Sequence, residues 1–207
     1  MSGQDFDDAL IAAAFRIAAE SGWARFNIVD AARAAGLSLA EARVRFPGKH
    51  TLPRRFGQRL DQAALSATSN EGPVRDQLFD LLMSRFDAMK PHRDGVRALL
   101  RYLPTDPATT LLLACATRRS MRWMLQAAGV STAGLRGELR VRGLIGVWIC
   151  TMRAFARDET EDLAPTMAAL DKALSRAHRA AAWLGGGRAV AAGEDEPMAD
   201  EARDGEA

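Results

Sequence analysis

The chain of 207 residues has few of the side chains on which disulfides and metal sites depend. It contains two cysteines, three histidines and one tyrosine, and aromatic residues make up 6% of it. Cys115 and Cys150 lie far apart in apolar surroundings, without CxxC or Cys/His spacing, which excludes a zinc site by pattern. We therefore predict two buried free thiols in a reducing cytosol.

Long hydrophobic runs and a signal segment are also missing. The longest apolar stretch, around residues 144–150, is far too short to span a membrane. The first residues, MSGQDFDD, are polar and acidic, unlike a signal peptide. The sequence therefore predicts a cytoplasmic protein.

Patterns typical of catalytic sites do not occur either. The chain has no GxSxG, P-loop or HExxH motif, and its histidines have no nucleophile or carboxylate at a recognisable spacing. Asp158, Glu159, Glu161 and Asp162 resemble a metal cluster, but acids at the start of a helix complement its dipole. We expect no enzyme activity, no metal and no cofactor.

Charge is distributed unevenly, although the net charge is only +2. Residues 31–60 contain seven basic side chains and one acid, a net of +6, whereas residues 185–207 contain two arginines and seven acids, a net of −5. A basic block near one end suggests a surface that faces phosphate. The acidic segment has almost no large apolar side chains, and we predict a disordered tail over 185–207.

The most informative stretch is DAARAAGLSLAEARVRFPGKHTL, residues 30–52. An Ala-rich helix ends at Gly36, Ser38 begins a second short helix, and Pro47-Gly48 ends it, which is the pattern of a helix-turn-helix. The second helix of such a unit enters the DNA major groove. The residues predicted to bind DNA are Asn27, Ser38, Leu39, Arg43, Arg45, Lys49 and His50.

Helical patterns cover almost the whole chain, with Ala and Leu dominant and β-branched runs scarce. The first helix is predicted from about residue 7 to residue 20, and the last from 158 to about 184. The break Ser69-Asn70-Glu71-Gly72-Pro73 is the best predicted boundary between two domains. The sequence predicts an all-α protein with a helix-turn-helix domain over 1–67 and a larger helical domain over 73–184.

Two sets of apolar residues suggest what the larger domain does. Adaptable Met side chains and bulky Phe and Trp side chains suit a pocket between helices for an apolar ligand. A stripe of such residues at helical spacing more often forms part of the core. The predicted pocket residues are Met83, Phe86, Met121, Met124, Trp148 and Met152. The stripe of the last helix alternates steps of three and four, which suits a two-fold dimer. Its predicted interface residues are Leu163, Met167, Leu170 and Leu174.

The first part of the chain resembles the TetR family of bacterial regulators. The matching segments are ALIAAAFRIAAESGW, IVDAARAAGLS and RFPGKHTL, over about residues 7–60. The family usually has an aromatic residue where Arg43 and Arg45 stand, and often Thr in place of Glu41. The resemblance implies the TetR fold and a homodimeric transcriptional regulator, here expected to be a ligand-responsive repressor. Its expected partners are an operator in double-stranded DNA and a small apolar ligand.

A second resemblance covers residues 146–174, GVWICTMRAFARDETEDLAPTMAALDKAL. This segment is similar to the lipid-binding accessory protein of ubiquinone biosynthesis, a family with the same fold. The shared pattern is Gly-Val-aromatic, eight residues, Asp-acid-Ser/Thr-x-Asp, x3-Thr, x3-Leu-Asp. That family binds isoprenoid or lipid at a membrane and does not act through DNA. Trp183 and Leu184 would then belong to an exposed apolar stripe that faces the membrane.

Overall fold

The computed structural model describes residues 2–67 and 72–186, and within these ranges it is built from helices without a strand. The helices are α1 (Gly3–Ser21), α2 (Ile28–Ala34), α3 (Leu39–Arg45), α4 (Thr51–Ala67), α5 (Val74–Met89), α6 (Arg93–Tyr102), α7 (Pro107–Ala127), α8 (Gly134–Phe155) and α9 (Ala164–Gly186). Short 3-10 turns at Lys90–His92 and Leu103–Thr105 flank α6. The all-α prediction is confirmed for the described part. Residues 68–71 and the tail from 187 onward lie outside it.

Helices α1–α3, here named the head, pack around an aromatic cluster. The Phe15 ring lies 5.7 Å from Trp23 and 4.6 Å from Phe56, and Trp23 lies 5.2 Å from Phe26. Helix α1 begins at Gly3, earlier than predicted, because Ser2 and Asp5 form a reciprocal capping box. The extra turn brings the Gly3 and Gln4 carbonyls beside Arg45 and Arg59, which donate to them.

Helix α4 leaves the head directly after α3 and packs against α5 and α7. Helices α5–α9, here named the body, surround a core in which Phe86 stacks on Trp148 at 4.8 Å and contacts Phe155 at 5.4 Å. The head also touches the body through α1 and α6. The head is therefore attached to the body at two places, through α4 and through α6.

The start of α9 differs from the prediction. Residues 158–162 form a loop, and α9 begins only at Ala164. The buried Asp158 carboxylate accepts hydrogen bonds from the Thr160 and Thr166 backbone N–H groups at 2.9 and 3.0 Å, and from both hydroxyls at 2.6 Å. Asp158 therefore holds the loop against the first turn of the helix, rather than occupying that turn.

The solvent exposure of side chains corrects two other predictions, on the cysteines and on the dimer interface. Both cysteines are free, as predicted, but both are exposed at the surface. Leu163, Leu170 and Leu174 are buried within the chain, and among the four predicted interface residues only Met167, 43% exposed, faces solvent. These leucines face inward, because they pack in the core of the body.

Candidate nucleic-acid interface

The predicted helix-turn-helix is present as α2, a tight turn and α3. The Asn27 side chain caps α2 by accepting from the Asp30 N–H at 2.8 Å. Gly36 turns the chain with a φ of +65°, a conformation that glycine adopts without strain. Ser38 caps α3 by accepting from the Glu41 N–H at 3.4 Å. The turn glycine and the serine cap, both recognisable in the sequence, therefore fix where α3 begins.

One face of α3 packs against the head, and the opposite face is exposed to solvent. Ala42 and the following Phe46 are buried in the head. Leu39, Arg43 and Val44 are exposed, and Val44 retains 81% of its accessible surface. This face of α3 is therefore accessible to another molecule. Sequence analysis missed Val44, although its position beside Arg43 was the available signal.

The Arg43 side chain lies at the surface near the end of α3. Its guanidinium donates to the Pro47 carbonyl at 2.6 Å, within the same local turn. It forms no ion pair with an acid of the described residues. Arg43 can therefore turn toward a phosphate or a base without giving up a charged partner.

The Arg45 side chain pairs with an acid of the protein itself, which differs from the prediction that it contacts DNA. Its Nε donates to the Asp7 carboxylate at 2.7 Å, and its guanidinium lies 5.6 Å from the Phe6 ring centre. The hydrogen bond to Asp7 raises the pKa of Arg45 despite desolvation. Arg45 is therefore paired with a carboxylate of α1 that the local sequence does not show, and its predicted contact with DNA would require breaking this pair.

Lys49 likewise turns inward rather than toward solvent. Its ammonium donates to the Trp23 carbonyl, and to the Ala24 carbonyl at 3.2 Å. It also lies 5.1 Å from the centre of the Tyr102 ring, at the end of α6. Burial lowers the pKa of Lys49, and the charge of Asp106 opposes this in part. Lys49 therefore joins head to body instead of forming part of a phosphate surface.

Much of the basic block is neutralised by two of the acids of α1, Asp7 and Asp8. Asp7, itself buried, also accepts from Arg55 at 3.1 Å, and Asp8 accepts from Arg59 Nε at 2.7 Å. The exposed arginines of the head and of the start of α4 that show no acidic partner among the described residues are Arg25, Arg33, Arg43 and Arg54. Of the seven basic residues of the block, Arg33, Arg43 and Arg54 are thus exposed without an acidic partner among the described residues.

The remaining predicted residues are placed as follows. Asn27 and Ser38 are exposed, but their side chains serve as caps. His50 is exposed, and its ring lies close to Gly48, just before α4. Glu41 lies 3.9 Å from an Arg45 nitrogen, so its charge is partly offset. Leu39, Arg43 and His50 are thus the predicted residues with side chains both exposed and uncommitted to a cap or an acid among the described residues.

The predicted pocket residues come together in the body core. Met83, Phe86, Met121, Met124 and Trp148 are buried, and Met152 packs against them half-buried. A separate groove of about 520 Å³ lies between head and body. Its lining includes Gln4, Asp8, Ile11, Phe56, Arg59, Leu60 and His92. Sequence analysis did not identify this groove, because its walls come from three separated segments.

Comparison with known proteins agrees with this architecture. No family model and no curated protein matches the chain. A TetR transcriptional regulator from Nitrosomonas europaea superposes with a TM-score of 0.67 at 22% identity, over 83% of this chain and 97% of that chain. A TetR-family transcriptional regulator from Streptomyces coelicolor gives a TM-score of 0.63 at 23% identity, over 97% and 94%. The chain has the TetR fold.

A TetR transcriptional regulator from Rhodococcus gives a TM-score of 0.59 at 17% identity, over 86% of this chain and 97% of that chain. The TetR fold was the fold that the sequence predicted, and it is confirmed. The resemblance to the ubiquinone accessory family stays a prediction. Part of its pattern has a local cause, since Asp158, Thr160 and Thr166 form the loop network that precedes α9.

No helix of the described residues combines the length and the hydropathy that crossing a bilayer requires. The side chains of Trp183 and Leu184, which the lipid-binding alternative would place in a membrane-facing stripe, lie outside the described part of the chain.

Proposed function

We propose that this protein is a dimeric DNA-binding transcriptional regulator that reads its operator with α3. The observation that carries the proposal is the exposed face of α3 on a head of the TetR fold. Helix α3 begins at the Ser38 cap and presents Leu39, Arg43 and Val44 to solvent. The second helix of a helix-turn-helix lies in the major groove with its side chains against base edges.

The exposed side chains divide into two roles. Leu39 and Val44 have the apolar character that contacts the methyl group of thymine. Arg43 lies between them and can reach a guanine edge or a phosphate. Arg33 and Arg54, exposed on α2 and α4, flank α3 in the sequence and suit phosphate contacts that fix register.

We further propose that two copies pair through α8 and α9. The exposed face of α8 contains Leu139, Gly143, Gly146 and Ile149, at helical steps of four, three and three. A methyl group added at Gly143 or Gly146 meets nothing within 4 Å, so this face is open. Small residues let a second helix approach closely, and Met167 adds an exposed apolar side chain on α9. A two-fold pair would present two α3 helices to successive major grooves.

The proposed response to ligand uses the body core. Helix α4 connects α3 directly to α5 and α7, so a ligand that repacks these helices also displaces the head. A ligand that binds one arrangement better shifts the protein toward it. We propose repression that such a ligand relieves.

The test is selection of duplex DNA from a random pool, followed by fluorescence anisotropy at several salt concentrations. Wild type is expected to enrich near-palindromic sequences. Arg43→Ala should weaken binding and reduce the salt slope by about one unit for each phosphate that the protein no longer neutralises. Arg119→Ala, which removes an exposed arginine on α7, outside the proposed dimer face, is the matched control and should change neither. Failure to enrich any sequence, or equal effects of both variants, would contradict the proposal.

A further inference from the structure

One charged side chain lies inside the predicted apolar pocket. Arg85, on α5, is only 4% exposed. Its guanidinium carbon lies 4.5 Å from the centre of the Trp148 ring, and that ring stacks on Phe86. Arg85 is thus surrounded by residues that were predicted to contact a ligand. An arginine at this place is costly, because removing a charge from water requires compensation by its partners.

The partners of Arg85 compensate its charge incompletely. One guanidinium nitrogen donates to the Asp61 carboxylate on α4 and to the Ser120 hydroxyl on α7. Ser120 in turn donates to the same carboxylate oxygen of Asp61 at 2.5 Å. The Nε–H group is buried and has no hydrogen-bond partner among the described residues. Burial lowers the pKa of Arg85, while the charge of Asp61 opposes that shift.

We propose that Arg85 recognises the carboxylate of a ligand with an apolar body, and that this carboxylate competes with Asp61 for the charge of Arg85. A carboxylate accepts from Nε and an adjacent guanidinium nitrogen at once, which satisfies the donor that has no partner. Trp148 and Phe86 supply the apolar walls for the rest of such a molecule. The ligand class is therefore a lipophilic acid rather than a neutral hydrocarbon.

Asp61 can leave this cluster at moderate cost. Its side chain is 23% exposed and so is already partly in contact with water, whereas the Arg85 side chain is buried. Its helix, α4, continues from the head into the body. Exchange of Asp61 for a ligand carboxylate would therefore remove a contact between α4 and the helices α5 and α7. This second step depends on the proposed function, whereas recognition of the acid does not.

The experiment uses the full chain and three pairs of probes, each an acid with its alcohol: octanoate with 1-octanol, benzoate with benzyl alcohol, and indole-3-acetate with indole-3-ethanol. Affinity is measured by isothermal titration without DNA. At least one acid is expected to bind wild type about tenfold more tightly than its alcohol, the ratio expected for one charge-assisted interaction. Asp61→Asn should strengthen binding of that acid, because it removes the competing charge.

Removal of Arg85 should abolish the preference for acids. Arg85→Met leaves Asp61 without its partner and can fail to fold, so Arg85→Met with Asp61→Leu removes both charges together. Arg75→Met is the matched control, since Arg75 also lies on α5 but pairs with Asp171 on α9. The inference is overturned if no acid binds better than its alcohol, or if the preference survives in the double variant. Because these titrations contain no DNA, their outcome is separate from that of the DNA selection.

Discussion

Gly95 on α6 lies so close to Phe15 on α1 that a Cβ atom at Gly95 would stand 2.4 Å from the Phe15 backbone oxygen. Gly95 is buried at the contact between head and body. Lys49 closes the same junction, with its ammonium over Tyr102 and its hydrogen bonds on the Trp23 and Ala24 carbonyls. The position of the head therefore depends on this contact as well as on α4.

Gly95→Ala is the first test of this junction. The added methyl group meets the Phe15 carbonyl oxygen, its Cβ and its buried ring, none of which can move aside alone, so α6 must move away from α1. We expect the free energy of unfolding to fall by about 1–3 kcal/mol, the usual cost of overpacking. Gly57→Ala on α4 is the control, because a Cβ there meets nothing within 4 Å. That variant should be as stable as wild type or up to about 1 kcal/mol more stable. Urea denaturation measures both, and equal stability of the two variants would show that α6 is not tightly seated.

Arg43 and Arg45, two residues apart on α3, should respond in opposite ways to removal. Arg45→Ala breaks the hydrogen bond to the buried Asp7 carboxylate, and we expect stability to fall by about 1–3 kcal/mol. Arg43→Ala removes a surface side chain and should change stability by less than about 0.5 kcal/mol. The salt slope of DNA binding should fall for Arg43→Ala and stay unchanged for Arg45→Ala. If both variants lowered the slope equally, Arg45 would reach DNA after leaving Asp7.

This contrast shows what the sequence could and could not predict. Ser38, Gly36 and Asn27 act within three residues of themselves, so the helix-turn-helix was readable. Arg45 and Asp7 are 38 residues apart, and nothing local distinguishes the arginine that is paired from the one that is free. The inward leucines of α9 and the buried Arg85 depend in the same way on helices distant in sequence. Periodicity locates an apolar face but does not show which neighbour covers it.

Asp158 should make stability depend on acidic pH. Burial alone would raise the pKa of Asp158, but the hydrogen bonds from Thr160 and Thr166 outweigh it and lower the pKa from 3.8 to about 2. A carboxyl whose pKa is lowered by folding stabilises the protein above its unfolded pKa and loses that contribution as pH falls through the folded value. Asp158→Asn should cost about 1–3 kcal/mol near neutral pH.

The difference between wild type and Asp158→Asn is therefore expected to stay constant above about pH 5 and to shrink as pH falls from 3.8 toward 2. Urea denaturation across this range measures it. Glu159→Gln changes an exposed neighbouring acid and should leave stability nearly unchanged. A difference that persists undiminished at pH 2 would mean that the ionised carboxylate is not what fixes the loop.

The proposed dimer face can be tested without disturbing the protomer, because a side chain at Gly146 would point into open space. Gly146→Glu adds a charged side chain where a Cβ meets nothing within 4 Å, and replacing glycine in a helix favours folding by up to about 1 kcal/mol. The protomer should therefore fold normally. In a two-fold interface the two added carboxylates would face a closely packed, apolar partner surface, and association should fail.

Sedimentation at micromolar concentration is expected to give a dimer for wild type and a monomer for Gly146→Glu. Leu111→Asp is the control, since it places a charge on an exposed apolar position of α7 and should leave the dimer intact. A monomeric wild type would reject pairing outright. A dimer that persists in Gly146→Glu but dissociates in Leu111→Asp would move the interface from α8 to α7, and the spacing of the two α3 helices would have to be derived again from that face.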